Sequence, residues 1–176
     1  MRDANVHAAD SRTSARTGTV TGGETVALVM FDLGGDRYGL PAASVQEVCQ
    51  AVTISLLPRA PSAVEGVLDV RGAMVPVFDI RSRFGLEPRA AGPDDHIIIA
   101  SAGARVVAVR VDRALDLVRV ASDQIQAAEQ FSSNLRHVVG VARLADGLVV
   151  IHDLASFLSQ AEADQLAAAM GDAAPP

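Results

Sequence analysis

Between residues 25 and 160 the chain is a succession of short apolar runs, each closed by Gly, Pro or Asp. Such runs, rich in Val and Ile and bounded by turn formers, predict strands. Residues 26–33 (VALVMFDL) are apolar enough to be core on both faces, and Gly34-Gly35-Asp36 closes a hairpin. The return strand, 37–40, is stopped by Pro41, which has no ladder donor. Two stretches then share one plan: 66–80 (GVLDVRGAMVPVFDI) and 140–154 (GVARLADGLVVIHDL). In each, Gly opens an apolar strand, a short turn leads into a second one, and Asp79 or Asp153 stands at the matching place at its end. The pattern predicts a duplicated β-unit, and function is to be sought where the copies differ. The turn differs most: Arg71-Gly72 in the first copy, Ala145-Asp146-Gly147 in the second.

The repeat extends outward from these hairpins. Residues 96–100 and 105–111 form a second hairpin around Ala102-Gly103, mirroring the one around Gly34, and 115–120 mirrors the segment from Val45 onward. The approximate repeat is therefore 26–85 and 96–158, with about five strands per unit. Residues 42–48 (AASVQEV) stay open: Val45 and Val48 suit a helical turn, whereas Val45, Glu47 and Cys49 would share one face of a strand. A short β-like run at 53–57 precedes the extended Pro58–Pro61 connection, and 62–65 is expected to make a single turn. Asp79 and Asp153 are expected to cap short helices at 80–84 and 154–158, with Gly85 as the left-handed stop of the first. Residues 87–95, with Pro88, Gly92 and Pro93, read as a linker, and 122–135 as polar helix and loop. Ser159 and Glu162 make a capping box for a helix over 163–170 that Gly171 ends, with Leu166 and Met170 as a thin apolar face for weak docking. Residues 1–24 hold only Val6 and Val20 as sizeable apolar residues and read as a flexible tail, and the last five residues should fray. The domain division is 1–24, 25–159 and 160–176.

Composition narrows the function classes. All fifteen basic residues are Arg, set against twenty-one acids, for a formal charge of −6. Net acidity argues against a nucleic-acid partner. Arg105, Arg110, Arg113 and Arg119 lie close together, but Asp112 and Asp116 fall among them, which predicts a mixed-charge solvated strand face. Cys49 is the single cysteine, so no disulfide framework or cysteine-based zinc site is available. No secretory signal pattern and no run long enough to span a membrane are present, so the expectation is a cytoplasmic protein without direct membrane insertion.

The residues that common enzymes need are missing. There is no phosphate loop ending in Lys and Ser or Thr, no Gly-x-Ser-x-Gly elbow and no dinucleotide fingerprint; Gly34-Gly35 joins two strands and does not open a helix. Asp94-Asp95-His96 and His152-Asp153 look like metal clusters on paper, but Asp153 has a capping role and His96 begins a strand, which favours structural roles. His7 lies in the tail. Cys49 has no neighbouring base to lower its pKa and reads as a packed, inert thiol. No catalytic residue, metal or cofactor is expected. Arg71 is ordinarily read as a solvated turn residue. Its place between two apolar strands, followed by Gly72, also makes it a docking device, because a fixed guanidinium fork suits a partner's carboxylate or carbonyls.

The run Gly66-Val67-Leu68-Asp69-Val70-Arg71-Gly72, followed by Val75-Pro76-Val77-Phe78-Asp79-Ile80-Arg81, resembles the signature of chemotaxis coupling proteins of the CheW type, as does Val45-Gln46-Glu47-Val48. The hairpin around Gly34, the Val111-Asp112 strand end and the 140–153 hairpin match as well, so the resemblance covers residues 24–158. Asp69-Val70 departs from the usual Asn-Leu. The resemblance implies a mainly β fold: two intertwined five-stranded SH3-like β-barrels on a common core, with short helices and a C-terminal helix. It also implies a non-enzymatic adaptor at membrane-associated receptor arrays, holding the cytoplasmic tip of a chemoreceptor on one surface and the regulatory domain of the histidine kinase CheA on another. Arg71 matches the receptor-side Arg, with Gly72 and Gly66 in the same signature, and Val45, Glu47 and Val48 match positions near the same groove. Service in a non-motility chemosensory pathway, and a look-alike that occupies receptor or kinase without signalling, are variants of this reading. A small-molecule-binding barrel using the interbarrel groove is the alternative of another class, and the scarcity of aromatic residues counts against it.

Overall fold

The apolar runs become strands, and the pairing between them decides the architecture. The structure, a computed structural model, describes residues 24–50, 52–130 and 137–173. The predicted tail, Glu24 excepted, and the chain end after residue 173 lie outside the described residues. In chain order the strands are β1 (Thr25–Leu33), β2 (Asp36–Pro41), β3 (Val45–Gln50), β4 (Val64–Val70), β5 (Ala73–Asp79), β6 (His96–Ala102), β7 (Arg105–Val111), β8 (Arg113–Ala121), β9 (Ile125–Ala127), β10 (Val138–Leu144) and β11 (Gly147–His152), followed by helix α1 (Gln160–Ala173).

Two sheets result. One has six strands in the order β8-β1-β2-β11-β10-β9, the other five in the order β3-β6-β7-β5-β4. Each is an SH3-like unit rolled over its own apolar cluster. Leu28, Met30, Val120, Ala142, Val149 and Ile151 fill the first, and Leu68, Val75, Val77, Ile97, Ile99 and Ala108 the second. Among the described residues neither ladder closes on itself, so the predicted barrels are open sheets with six and five strands. Intertwining is literal, because the first half contributes β1 and β2 to the sheet otherwise built from the second half, and the second half returns β6 and β7. The β1 pairing with β8 and the parallel β2 pairing with β11 have counterparts in β6 with β3 and β7 with β5. A central cluster joins the units, with Phe31, Leu33 and Leu40 from one sheet meeting Phe78, Ile98 and Val109 from the other.

The opening glycines of the repeat are explained by close approach. A Cβ on Gly66 would stand 2.2 Å from the Ser55 carbonyl oxygen, and one on Gly140 would stand 2.6 Å from that of Gln126. Ser55 bridges Val67, and β9 pairs with β10, so in both halves another segment crosses directly over the Gly. The β-like run expected at 53–57 amounts to that single bridge.

Several expectations need correction. β2 ends at Pro41 as expected, but the proline itself is the strand's last residue, paired with Leu28. The open segment at 42–48 divides: Ala42–Ser44 is a 3₁₀ turn and Val45 begins β3. The turn expected at 62–65 gives way at Val64, where β4 starts. The polar stretch from Ser122 carries β9 between two 3₁₀ turns. The short helices after Asp79 and Asp153 are 3₁₀ turns at Arg81–Phe84 and Leu154–Ser156. Asp79 accepts from the Arg81 amide at 3.0 Å, Asp153 from the Ala155 amide at 2.9 Å, and Gly85 closes the first at φ +69°.

Helix α1 runs through Gly171 and docks firmly. Ser159 and Glu162 form the predicted capping box, and Leu166 and Ala169 are buried in the central cluster with Met170 against it. Leu166 and Met170 looked thin because Ala169, invisible as an anchor in a run of alanines, completes the face.

The largest correction concerns charge. Arg110 is fully buried, while Arg105, Arg113 and Arg119 are exposed as expected. The segment 87–95 is not a loose linker either, since Asp95 is buried and Arg89 joins it to the strand ends.

Candidate functional site

The turn between β4 and β5 has Arg71 at φ +54° and Gly72 at φ +84°. With Val70 paired to Ala73, these two residues form a type I′ hairpin loop, whose twist matches that of the strands it joins. Gly is at ease there and Arg is not; a non-Gly residue in the left-handed region costs on the order of 1 kcal/mol. The Gly72 amide donates to Asp69 Oδ1 at 2.7 Å, so the acid that replaces the usual Asn braces the turn.

Arg71 Nη2 donates to Glu47 Oε2 at 2.7 Å, yet the Arg side chain remains 83% exposed. Glu47 lies on β3, and β3 and β4 are the two outer strands of their sheet. The ion pair therefore spans the seam where the rolled sheet's edges approach, and Cys49 and Val70 pack on the same cluster beneath it. An exposed pair of this kind contributes little stability, about 0–1 kcal/mol. Its effect is to point the guanidinium while leaving most of its donors in solvent.

On β3, Val45 and Cys49 turn inward beside Glu47, and Val48 turns outward at 41% exposure. Burial, then Glu47, pushes the Cys49 thiol pKa up, which suits an inert side chain. Gly66 is buried under the Ser55 crossing, where its contribution is to the fold. The structure thus brings Arg71, Gly72 and Glu47 together, while Val48 faces the other side of β3, Val45 packs against the central cluster and Gly66 lies beneath the Ser55 crossing. Sequence reasoning missed Val52 and Leu56, both exposed, on the segment leading from β3 to β4. The signal was the Leu56-Leu57 pair in an extended stretch, where only one of two neighbours can face inward; Leu57 is buried.

Among the described residues no group of His, Cys, Asp and Glu could hold a metal ion. His96 Nδ1 meets the Asp94 carbonyl, and His152 Nδ1 donates to the His137 carbonyl at 2.9 Å. His152 sits among Tyr38, Phe84 and Phe157, and burial pushes its pKa down to about 4. It is a neutral core residue. Among the described residues, no helix is long and apolar enough to cross a membrane.

Comparison with known proteins agrees with this architecture. Residues 27–162 match the CheW-like domain. The chain is 28% identical over 144 residues to the chemotaxis protein CheW of Klebsiella aerogenes, covering 80% of this chain and 87% of that protein. It is 30% identical over 114 residues to protein FrzA of Myxococcus xanthus, covering 64% and 71%. The crystal structure of the scaffolding protein TtCheW from Thermoanaerobacter tengcongensis superposes with a TM-score of 0.67 at 28% identity, covering 73% of this chain and 89% of that one. The chain therefore belongs to the CheW-like domain family, the non-enzymatic scaffold and adaptor proteins of chemotactic signal transduction.

Proposed function

We propose that this chain is a cytoplasmic adaptor that couples the cytoplasmic tip of a chemoreceptor to the regulatory domain of the histidine kinase CheA, at membrane-associated receptor arrays. The observation that carries the reading is the Arg71 turn. A guanidinium held in a strained loop, steered by Glu47 and left 83% exposed, is built to be met from outside. A helical tip would lay apolar residues over Val48, Val52 and Leu56, and a carboxylate on it would take the free donors of Arg71.

Capture of this chain by a receptor cytoplasmic fragment tests the reading. Arg71→Ala should weaken capture about 10- to 100-fold, the worth of a charge-assisted hydrogen bond, with the fold intact. Unchanged capture by a folded variant would remove Arg71 from the site. Reconstituted kinase activation separates a coupling adaptor from a competitor that merely occupies its partners.

The small-molecule alternative needs a cleft at the junction of the two units, and there helix α1 lies on the central cluster. Thermal stabilisation of the chain by a small ligand with no protein partner present would favour it.

A further inference from the structure

Two surfaces that must be presented to two partners require a joint between them that does not drift. Apolar packing in the central cluster is non-directional and does not by itself fix an angle. A dense set of directional contacts lies where the chain passes from β7 to β8 and so from one sheet to the other. Arg110, at the end of β7, donates through Nε and Nη2 to the two oxygens of Glu65 on β4, at 2.7 and 2.6 Å. It also donates to Asp79 at 3.0 Å, to Asp95 at 3.0 Å and to the Arg89 carbonyl at 2.9 Å. Arg89 pairs with Asp95 and Asp112, Arg81 pairs with Asp112, and Arg81 lies 3.8 Å from Asp79. The contacts close into a ring: Arg110, Asp95, Arg89, Asp112, Arg81, Asp79 and back, with Glu65 attached.

Asp112 is the member that reaches across. Its second oxygen accepts the Gly34 amide at 2.7 Å, at the tip of the β1–β2 hairpin, and its own amide donates to the Asp32 carbonyl at 3.0 Å. Every other member lies on the five-stranded sheet or on the segment between β5 and β6. Burial opposes ionisation of Asp112 and Asp95, but the Gly34 amide, Arg89 and Arg81 for one, and Arg89, the Gly92 amide and Arg110 for the other, hold both below the usual carboxylate range. Asp95 and Asp112 are therefore held as carboxylates, and charge-assisted hydrogen bonds from an Arg fork to them are strong and geometrically specific.

We propose that this ring is the joint that fixes the angle between the two sheets, with Arg110 and Asp112 as its positioning residues. Its value lies in orientation more than in stability, since buried ion networks contribute little net free energy against apolar replacements of equal volume. The consequence for signalling rests on the adaptor reading above; the mechanical claim does not.

The test uses the full chain with Cys49→Ser and spin labels at Gln50→Cys on β3 and Leu148→Cys on β11, both exposed and on different sheets. Asp112→Asn keeps the shape of the side chain but removes its charge and turns one of its two accepting oxygens into a donor. We expect the interlabel distance distribution to become about twofold broader, because a packed joint loses its bridging charge. Arg37→Gln, which breaks the exposed Arg37–Asp146 pair inside one sheet, should leave it unchanged. A distribution as narrow in folded Asp112→Asn as in the parent overturns the proposal, as does equal broadening by Arg37→Gln. In a second arm, folded Asp112→Asn should bind receptor and kinase fragments separately as the parent does, while kinase activation in the ternary mixture falls severalfold. Broadening without parental binding of either fragment would leave the joint standing and sink the adaptor reading; broadening with full ternary activation would sink the signalling consequence of the joint.

Discussion

The β4–β5 and β10–β11 hairpins are the same object built twice, and they carry opposite charges at their tips. In the first, the Arg71 guanidinium is tethered by a carboxylate from β3; in the second, the Asp146 carboxylate is tethered by Arg37 from β2. The parallel pairings differ in the same instructive way. Val77 lies opposite Ala108 and Ile151 opposite Gly39, so the position of Arg110 on β7 corresponds to Pro41 on β2. Asp79 both caps a 3₁₀ turn and receives Arg110, whereas Asp153 only caps. The duplicated frame is a common platform, and each sheet has its own electrostatics: an ion ring against the five-stranded one, a buried imidazole on the six-stranded one.

Removing the ring's hub should have the largest effect. Arg110→Ala leaves Glu65, Asp79 and Asp95 facing one another with their shared cation gone, and urea unfolding should show a loss of about 3–5 kcal/mol. A loss within experimental error would mean that the ring is solvated and the asymmetry between halves is superficial.

The opening glycines come next, and they should rank. Gly66→Ala and Gly140→Ala each force a methyl against a backbone oxygen, and about 1–3 kcal/mol is expected for overpacking. Gly66, with the closer approach, should be the worse. The reverse order would mean that the Ser55 crossing gives way more easily than β9.

At the place where the first hairpin has Phe78 the second has His152, and this difference should appear as pH dependence. The imidazole's folded pKa is pushed down to about 4 from 6.5, mainly by burial, with the His137 carbonyl partly opposing. Between those values the unfolded chain binds the proton and the folded one does not, so stability drops by about 1.4 kcal/mol for each unit that pH is lowered. Below that window the ring takes over, because the depressed Asp95 and Asp112 lose their contribution as pH drops through their folded values. His152→Phe, copying the first hairpin, should flatten the upper part of this profile and leave the lower part intact. Thermal unfolding from pH 7 down to about 2 measures both.

Period-two apolar patterning and turn residues made the strands, the hairpins and the duplication legible, because these are local properties. The exchange of hairpins between sheets was reachable only through resemblance, since pairing partners leave no mark on periodicity. The ion ring was missed for a related reason: Glu65, Asp79, Asp95 and Arg110 are far apart in the chain, and each looks like an ordinary surface charge. One sign was available. Arg110 interrupts VVAVRV, a strand with apolar residues on both faces, where a charge must either leave the core or be matched within it. At the candidate site, Arg71 and Gly72 were readable from turn chemistry, while the contact with Glu47 depends on the sheet rolling until its outer strands meet.

The smallest change in stability should separate fold from function at the Arg71 tip. Asn tolerates the left-handed region better than Arg does, and Asn-Gly is the preferred type I′ loop, so Arg71→Asn removes strain at φ +54°. It also deletes the pair with Glu47, which is exposed and contributes little. The sum should be a gain of about 0.5–1 kcal/mol in unfolding free energy. Capture by a receptor fragment should nonetheless fall as far as with Arg71→Ala, whereas Asp146→Asn at the opposite tip should leave capture unchanged. A stabilised Arg71→Asn protein that binds at full strength would mean that the strained arginine is an accident of the loop. A stabilised protein that no longer binds would mean that the loop keeps its strain for the sake of the partner.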